Sequence, residues 1–292
     1  MKEVFIVLCV LSASIEPIIV KIGYNNFKNI NPIHIIIIKN LIGFSIFLLI
    51  SLYNYFIKKN FKLLNFKDII AISKVSVLLL FTTSMMIISL KFIPAVIMLT
   101  IFSTTPLFVS FTNSFIKKVE NLEIKFFIGF ILAFIGVTLT IRLYDFMFSL
   151  NTLNNINFIG ILIAFLGVLS STIYRTTLDE LTNKFSSFTV SIYIFLINGL
   201  VILSIFPFVF KDLGLGSFIV GFYGGVSGSI ANVAFLYALS ILGSTKVSIL
   251  NMLNQPTVIF LSALILKEKL YTPQLIGIFL TIIGVLIARK TK

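Results

Sequence analysis

Tryptophan is absent from the chain, and cysteine and histidine occur once each, as Cys9 and His34. A lone thiol excludes an internal disulfide and a cysteine-ligated metal cluster. Charge is scarce as well: 11% of residues are Asp, Glu, Lys or Arg, where soluble domains carry about 25%. Hydrophobic residues make up 58% of the 292 residues, and mean hydropathy is +1.11. So little polar material cannot coat a water-soluble globule of this length. A soluble enzyme, a disordered chain and a secreted disulfide scaffold are excluded, and a polytopic helical membrane protein remains. With no tryptophan, any interfacial aromatic belt must be built from Tyr and Phe.

The net charge of +13, from 23 basic and 10 acidic side chains, falls between the apolar runs. No basic stretch has the length or aromatic interleaving of a nucleic-acid surface. The positive-inside bias of membrane loops explains the excess.

A helix needs about 20 apolar residues to cross the hydrocarbon core. Ten such runs lie near 4–22, 34–57, 69–90, 94–116, 126–142, 158–177, 188–210, 217–241, 246–266 and 274–289. Short breaks with turn or charge signals separate them. The shortest are Lys91–Pro94 and Leu242–Lys246, each marked by a Pro or a Gly. The first run resembles a signal peptide in its Lys2 and Ser12-Ala13-Ser14. Its apolar pattern continues to Val20, which makes it the first membrane span. With the N-terminus inside, 14 Lys and Arg fall on the inner side, among them Lys117, Arg175 and Lys246, and 7 on the outer. Both termini are therefore expected in the cytoplasm, in the plasma (inner) membrane of a prokaryote.

The two halves repeat. Ile128, Gly129, Leu132, Ile135, Gly136 and Val137 match Ile276, Gly277, Leu280, Ile283, Gly284 and Val285 at a constant offset of 148. Glu120 and Leu122 match Glu268 and Leu270, Pro106 matches Pro256, and Asn40 matches Asn198. Residues 1–142 form the first five-span repeat, 143–157 a linker, and 158–292 the second repeat. An odd number of spans inverts the second half in the membrane. The expected fold is all-α: ten transmembrane helices in two inverted five-helix repeats, a plan used by many secondary transporters.

Three segments carry a resemblance to a known family: Ser89-Leu-Lys-Phe-Ile-Pro-Ala-Val-Ile-Met-Leu with Pro106, Ala238-Leu-Ser-Ile-Leu-Gly-Ser-Thr-Lys-Val-Ser with Pro256, and Glu268 with Gly277 and Gly284. They are similar to the EamA-type repeat of the drug/metabolite transporter superfamily, once per half. The resemblance implies a central cavity lined mainly by the first four helices of each half, with the fifth helices at the periphery. Family members carry amino acids, nucleotide-related metabolites, drugs and other small solutes. The first half departs from the pattern, with Lys117-Lys118-Val119 where the second has Lys267-Glu268-Lys269.

Ionisable groups inside a bilayer cost ~2.5–3.5 kcal/mol each at the centre and need a reason. Glu16 and Lys39 lie at similar depths from the outer side, ~10 Å and ~9 Å at 1.5 Å per residue. Glu16 is a proton-binding carboxylate, a contact for a cationic substrate group, or half of a buried pair with Lys39. Pro17 kinks the first span. Pro106 and Pro256 lie near the midplane, and each frees the carbonyl four residues earlier, Phe102 or Met252. Ser103, Thr104 and Thr105 flank one; Asn251, Asn254 and Gln255 flank the other. These groups either line a cavity or re-satisfy the interrupted backbone. Asn40, Asn198, Asn232 and Tyr237 are polar sites on apolar spans, open to solute contact or interhelical bonding. Gly221, Gly224, Gly225 and Gly228 give small-residue spacings suited to close packing. Arg175 and Asp179, four apart near an inner end, suit a salt bridge.

No HExxH, Walker A motif or acidic cluster within a span is present, so no catalytic residue, metal or cofactor is assigned and enzyme activity is not expected. The expected function is secondary transport of a small organic metabolite, with amino acids and related solutes leading. The partners are that solute, membrane lipid and, if transport is ion-coupled, protons; nucleic acid is not among them. A lipid-like substrate, a sensor and a structural partner protein are the alternatives.

Overall fold

Runs this long and this poor in charge have one way to satisfy their own amides in hydrocarbon, and that is helix formation. The structure, a computed structural model, describes residues 9–15, 18–19, 22–23, 26–27, 30–56, 64–89, 92–93, 95–119, 121–143, 158–209, 214–266 and 270–289. Among the described residues there are helices and no strands. They are α1 (Pro32–Phe56), α2 (Phe66–Ser89), α3 (Ala95–Phe102), α4 (Thr105–Phe111), α5 (Ile124–Thr140), α6 (Phe158–Lys184), α7 (Ser187–Val209), α8 (Leu215–Leu250), α9 (Asn254–Leu266) and α10 (Thr272–Arg289). A π-helical segment, Thr112–Ile116, follows α4, and a 3-10 turn, Asn251–Leu253, precedes α9.

By length and composition, six helical stretches among the described residues can cross a membrane, the last of them Leu215–Ile265. Ile124–Thr140 and Thr272–Ala288 are shorter apolar helices. About half of the first expected span lies outside the described residues. The sixth run proves longer than its apolar core: α6 continues past 177 to Lys184, carrying the polar Thr176–Lys184 stretch beyond the hydrophobic segment.

Two compact units divide the chain across the repeats. One comprises Met1–Val77 and Glu180–Ile241, the other Leu78–Asp179 and Leu242–Lys292.

In the first unit α1 packs antiparallel to α7. A Cβ on Gly43 would meet the Phe195 ring, and one on Gly199 would meet Phe44. Phe47 stacks on Phe195 with ring centroids 4.5 Å apart. α8 runs parallel to α1 and lies close to it through two glycines: Gly221 faces Ile38, and Gly225 faces Ile42 and the Lys39 carbonyl. Gly224, also expected to be a packing residue, is not one, since a Cβ there would meet nothing within 4 Å. It lies on a different side of α8 from its neighbour Gly225, 100° around the helix.

In the second unit the repeated glycines meet each other. Gly129 lies against Gly284 and Ala288, and Gly136 lies against Gly277 and Thr281. Numbers rise along α5 as they fall along α10, so the two helices are antiparallel. A polar clasp joins the C-terminal end of α5 to the start of α10. Gln274 donates to the Thr140 carbonyl at 3.2 Å and accepts from the Tyr271 amide at 3.0 Å. The second bond is the Gln half of a capping box. The Arg142 guanidinium lies 4.1 Å from the centre of the Tyr271 ring.

Candidate functional site

The break expected at Pro106 falls just before it. Ser103 and Thr104 form a turn, and α4 restarts at Thr105 with Pro106 in its first turn, where a missing N–H costs nothing. Three successive hydroxyls close the gap. Ser103 donates to Thr100, Thr104 to Ile101 and Thr105 to Phe102, over 2.7, 2.6 and 2.6 Å. The Phe102 carbonyl is the one that Pro106 leaves without a helical donor. Ser103 and Thr104 thus repair backbone, while their lone pairs remain available as acceptors. Beyond α4 the chain widens into the π-helical turn, closed by the Val119 amide donating to Asn113 O at 2.9 Å with Lys118 at φ 54°. This is a Schellman-type end with lysine where glycine is usual.

A second break occurs at Gly243, whose φ of 77° and ψ of 167° interrupt α8. That conformation is open to glycine and strained for other residues. The helix restarts at Ser244, and polar groups from two other helices converge there. Asp179 Oδ2, on α6, accepts from the Ser244 amide at 2.9 Å, a carboxylate at a helix N-terminus. Asn113, in the π-helical turn, donates one amide proton to Ser244 Oγ at 2.8 Å and the other to Thr245 Oγ1 at 2.9 Å. Lys117 donates to the Thr176 carbonyl at 2.6 Å. Asn113, Ser244 and Thr245 are buried.

Arg175, one turn back from Asp179, reaches across to the same segment. Its Nε is 3.3 Å from Ser171 Oγ and its Nη1 is 3.2 Å from Ser248 Oγ. In the amide orientation that satisfies both groups, the Asn251 oxygen accepts from Nη1 at 2.8 Å and Nη2 at 3.2 Å. Arg175 and Asp179, the pair four apart on α6, each bond to the Ser244–Asn251 segment. Ser244, Ser248, Asn251 and Gln255 follow at intervals of four, three and four, which aligns them on one helical face. The Gln255 Oε1 is buried and has no hydrogen-bond partner among the described residues. This cluster, entirely within the second unit, is the candidate site. Sequence reasoning singled out Asn251 and Gln255 beside Pro256 but not Asn113, Ser244 or Ser248. The four-three-four polar spacing downstream of Gly243 was the available signal.

The remaining candidates separate. Asn254 and Pro256 follow Asn251 on the same chain segment. Asn198 is buried in the first unit, where its amide meets the Ser76 hydroxyl. Asn40, its counterpart in the repeat, instead donates to Ile36 O on its own helix at 2.8 Å. Asn232 accepts from Ser191 Oγ at 3.3 Å. Tyr237 keeps 37% of its surface exposed, and Lys39 is half-buried. Glu16, Pro17 and Glu120 lie outside the described residues. Among the described residues, no group of three or more His, Cys, Asp or Glu side chains could hold a metal ion.

The family model described as EamA-like transporter family matches residues 1–142 and 158–289. No curated protein sequence matches significantly. A solved structure described only as "Crystal structure of protein" superposes with a TM-score of 0.73. It covers 98% of this chain and 97% of its own at 12% identity, a likeness of fold alone.

Proposed function

The chain belongs to the EamA-like transporter family, and from that premise we propose that it is a secondary transporter moving a small organic metabolite by alternating access. The observation carrying this reading is the family match in both halves of an all-helical, apolar chain. The helix pairings support ten spans in two inverted repeats. Equivalent helices of the two halves, α1 with α7 and α5 with α10, pack antiparallel, as inversion requires. The ends that bring Lys117, Arg175 and Ser244 together are all expected on the cytoplasmic side by the positive-inside count. The cluster around Arg175 and Asn251 is proposed to be the cytoplasmic part of the solute path, because polar groups of three helical segments converge there. Amino acids and related solutes lead the substrate list. No nucleotide-binding motif is present in the sequence, so a solute gradient, an ion gradient or exchange must drive transport.

The test is a thermal-stability screen of the purified full chain against amino acids, nucleosides, nucleotide sugars, quaternary amines and lipids, followed by uptake of hits into proteoliposomes. A ligand at 100 times its dissociation constant stabilises the folded state by about 2.7 kcal/mol. A hit that is also transported supports the reading. Binding without uptake favours a sensor, and hits among lipids alone favour a flippase.

If uptake is proton-coupled, Glu16 is the proposed proton carrier, as the acidic residue placed deepest in the first span. Glu16→Gln should then abolish the response of uptake to a pH gradient while the thermal shift by the substrate survives. An undiminished pH response in that variant removes Glu16 from the mechanism.

A further inference from the structure

A lysine on the outward side of an apolar helix is costly, and α2 carries one about two turns past its start, Lys74. Lys67 stands seven residues before it, on the same side of the helix and about 10.5 Å away along the axis. Both lysines are exposed. The same side of α2 carries Ile70, Val77, Phe81 and Ile88, each at least 38% exposed. The opposite side is packed. Ile72, Val75 and Ser76 are fully buried there. Ser76 donates to Ile194 O of α7 at 3.2 Å, and Thr82 donates to Ser170 Oγ of α6 at 2.9 Å. An outward stripe of aliphatic and aromatic side chains is a face for acyl chains rather than for water.

The charge at the start of this stripe is positive. Asp68, the acid beside Lys67, is held by Lys184 at 2.6 Å. Among the described residues no ion pair involves Lys67 or Lys74. Lys67, Asp68, Lys74 and Lys184 sum to two positive charges, and Lys58, Lys59 and Lys62 precede them in sequence with no acid between. Side chains on a helix lean toward its N-terminus, so the Lys74 stem leads back toward Lys67 and the headgroup level. A cationic pair at one end of an apolar stripe is complementary to an acidic headgroup on apolar chains.

We infer that this side of α2 binds an anionic phospholipid. Its phosphate lies between Lys67 and Lys74, and its acyl chains run along Ile70, Val77 and Phe81. A zwitterionic lipid fits the same stripe but brings a cation of its own to the lysines. The site needs a membrane span and not transport, so it stands or falls apart from the uptake experiments above. The competing role for Lys74 is in a water-filled vestibule, which leaves Val77 out of contact with lipid.

The chain has no tryptophan, so Val77→Trp places a single indole on the stripe. The full chain carrying it is reconstituted in bilayers of equal parts phosphatidylglycerol and phosphatidylcholine at about 0.15 M salt, where distant exposed charges are screened. One lipid or the other carries bromine on its acyl chains as quencher. Each lysine at the headgroup level should attract acidic lipid about five-fold. Phosphatidylglycerol should therefore occupy the position beside the indole ten-fold or more over phosphatidylcholine. Lys74→Gln should cut that preference about five-fold, and Lys67→Gln with Lys74→Gln should bring it to about two-fold or less. Lys125→Gln removes an equal charge at the start of α5 and should leave it unchanged. Phe81→Trp repeats the measurement one turn further on, should the first reporter not fold. No quenching by either lipid overturns the inference in favour of the vestibule. Equal quenching by the two lipids, a preference that survives the double lysine variant, or an equal loss in Lys125→Gln also overturns it. So does loss of the preference on adding glycerol phosphate at constant ionic strength, which would mark a site for free phosphate.

Discussion

Replacing Gly284 with valine is expected to lower the melting temperature of the full chain by roughly 2–12 °C. The contact at Gly284 is with backbone rather than with side chains. A Cβ on Gly284 would lie 2.6 Å from Gly129 O and 2.8 Å from Ala133 Cα. Side chains can turn away from an intruder, but a helix backbone must move as a whole. Overpacking of this kind costs about 1–3 kcal/mol or more, and each kcal/mol shifts melting by about 2–4 °C in chains of roughly this size. Contact between helices at this distance is the usual role of glycine in membrane bundles, where packing rather than the hydrophobic effect holds helices together. Gly224→Ala is the internal control. Nothing lies within 4 Å of its Cβ, and alanine gains up to about 1 kcal/mol in helix propensity, so melting should hold or rise. Gly129→Val should match Gly284→Val. The double variant should lose less than the two losses combined, because one separation of α5 from α10 relieves both clashes. A Gly284→Val melt equal to wild type would show that α5 and α10 do not approach this closely.

That contact shows how far the sequence could be read. The glycines at 129, 136, 277 and 284 are visible as a repeat because they recur in register. Their mutual contact is not visible, since apolar sequence does not say which faces meet. Composition and run length led to helices, because a continuous apolar run of about 20 residues satisfies its own amides in hydrocarbon as a helix. The prolines marked the interruptions, although the chain breaks at Ser103–Thr104, just before Pro106, so that proline occupies a first turn. Gly243 marked a turn, yet the sequence alone did not show that Asp179, 65 positions from Ser244, caps the helix restart there. The candidate site was only partly legible for the same reason. Asn251 stood out beside Pro256, whereas Ser244 and Ser248 resemble ordinary helix-packing serines until Arg175 is seen to reach the segment from α6. The spacing of Arg175 and Asp179 suggested a pair within α6, and it does not show that both also reach the Ser244–Asn251 segment.

Asp179→Ala is expected to lower both stability and the affinity for any solute held by Arg175. The Gly243 backbone turns the chain out of helical geometry, so the amides that follow need acceptors from elsewhere. Asp179 supplies one from α6, and its negative charge suits the positive end of the restarted helix. Removing the carboxylate strands the amide of the buried Ser244, at about 1–3 kcal/mol. Asp179→Asn keeps an acceptor and loses the charge, so it should fall between alanine and wild type. The functional effect follows from register. Ser248 lies one turn beyond Ser244, and Asn251 one turn beyond Ser248. A shift at the cap moves the acceptors that face Arg175. Asn113→Ala tests the other side of the joint. Its two amide protons are both used, on Ser244 and Thr245, so it should also lower melting without touching charge. Melting curves and ligand titrations of the three variants separate these effects. If Asp179→Ala melts with wild type and binds equally well, the Ser244 restart does not depend on α6, and the cluster is not the coupled unit described here. If Asp179→Asn and Asp179→Ala lose equally, the charge at the helix start is what matters and the hydrogen bond is secondary.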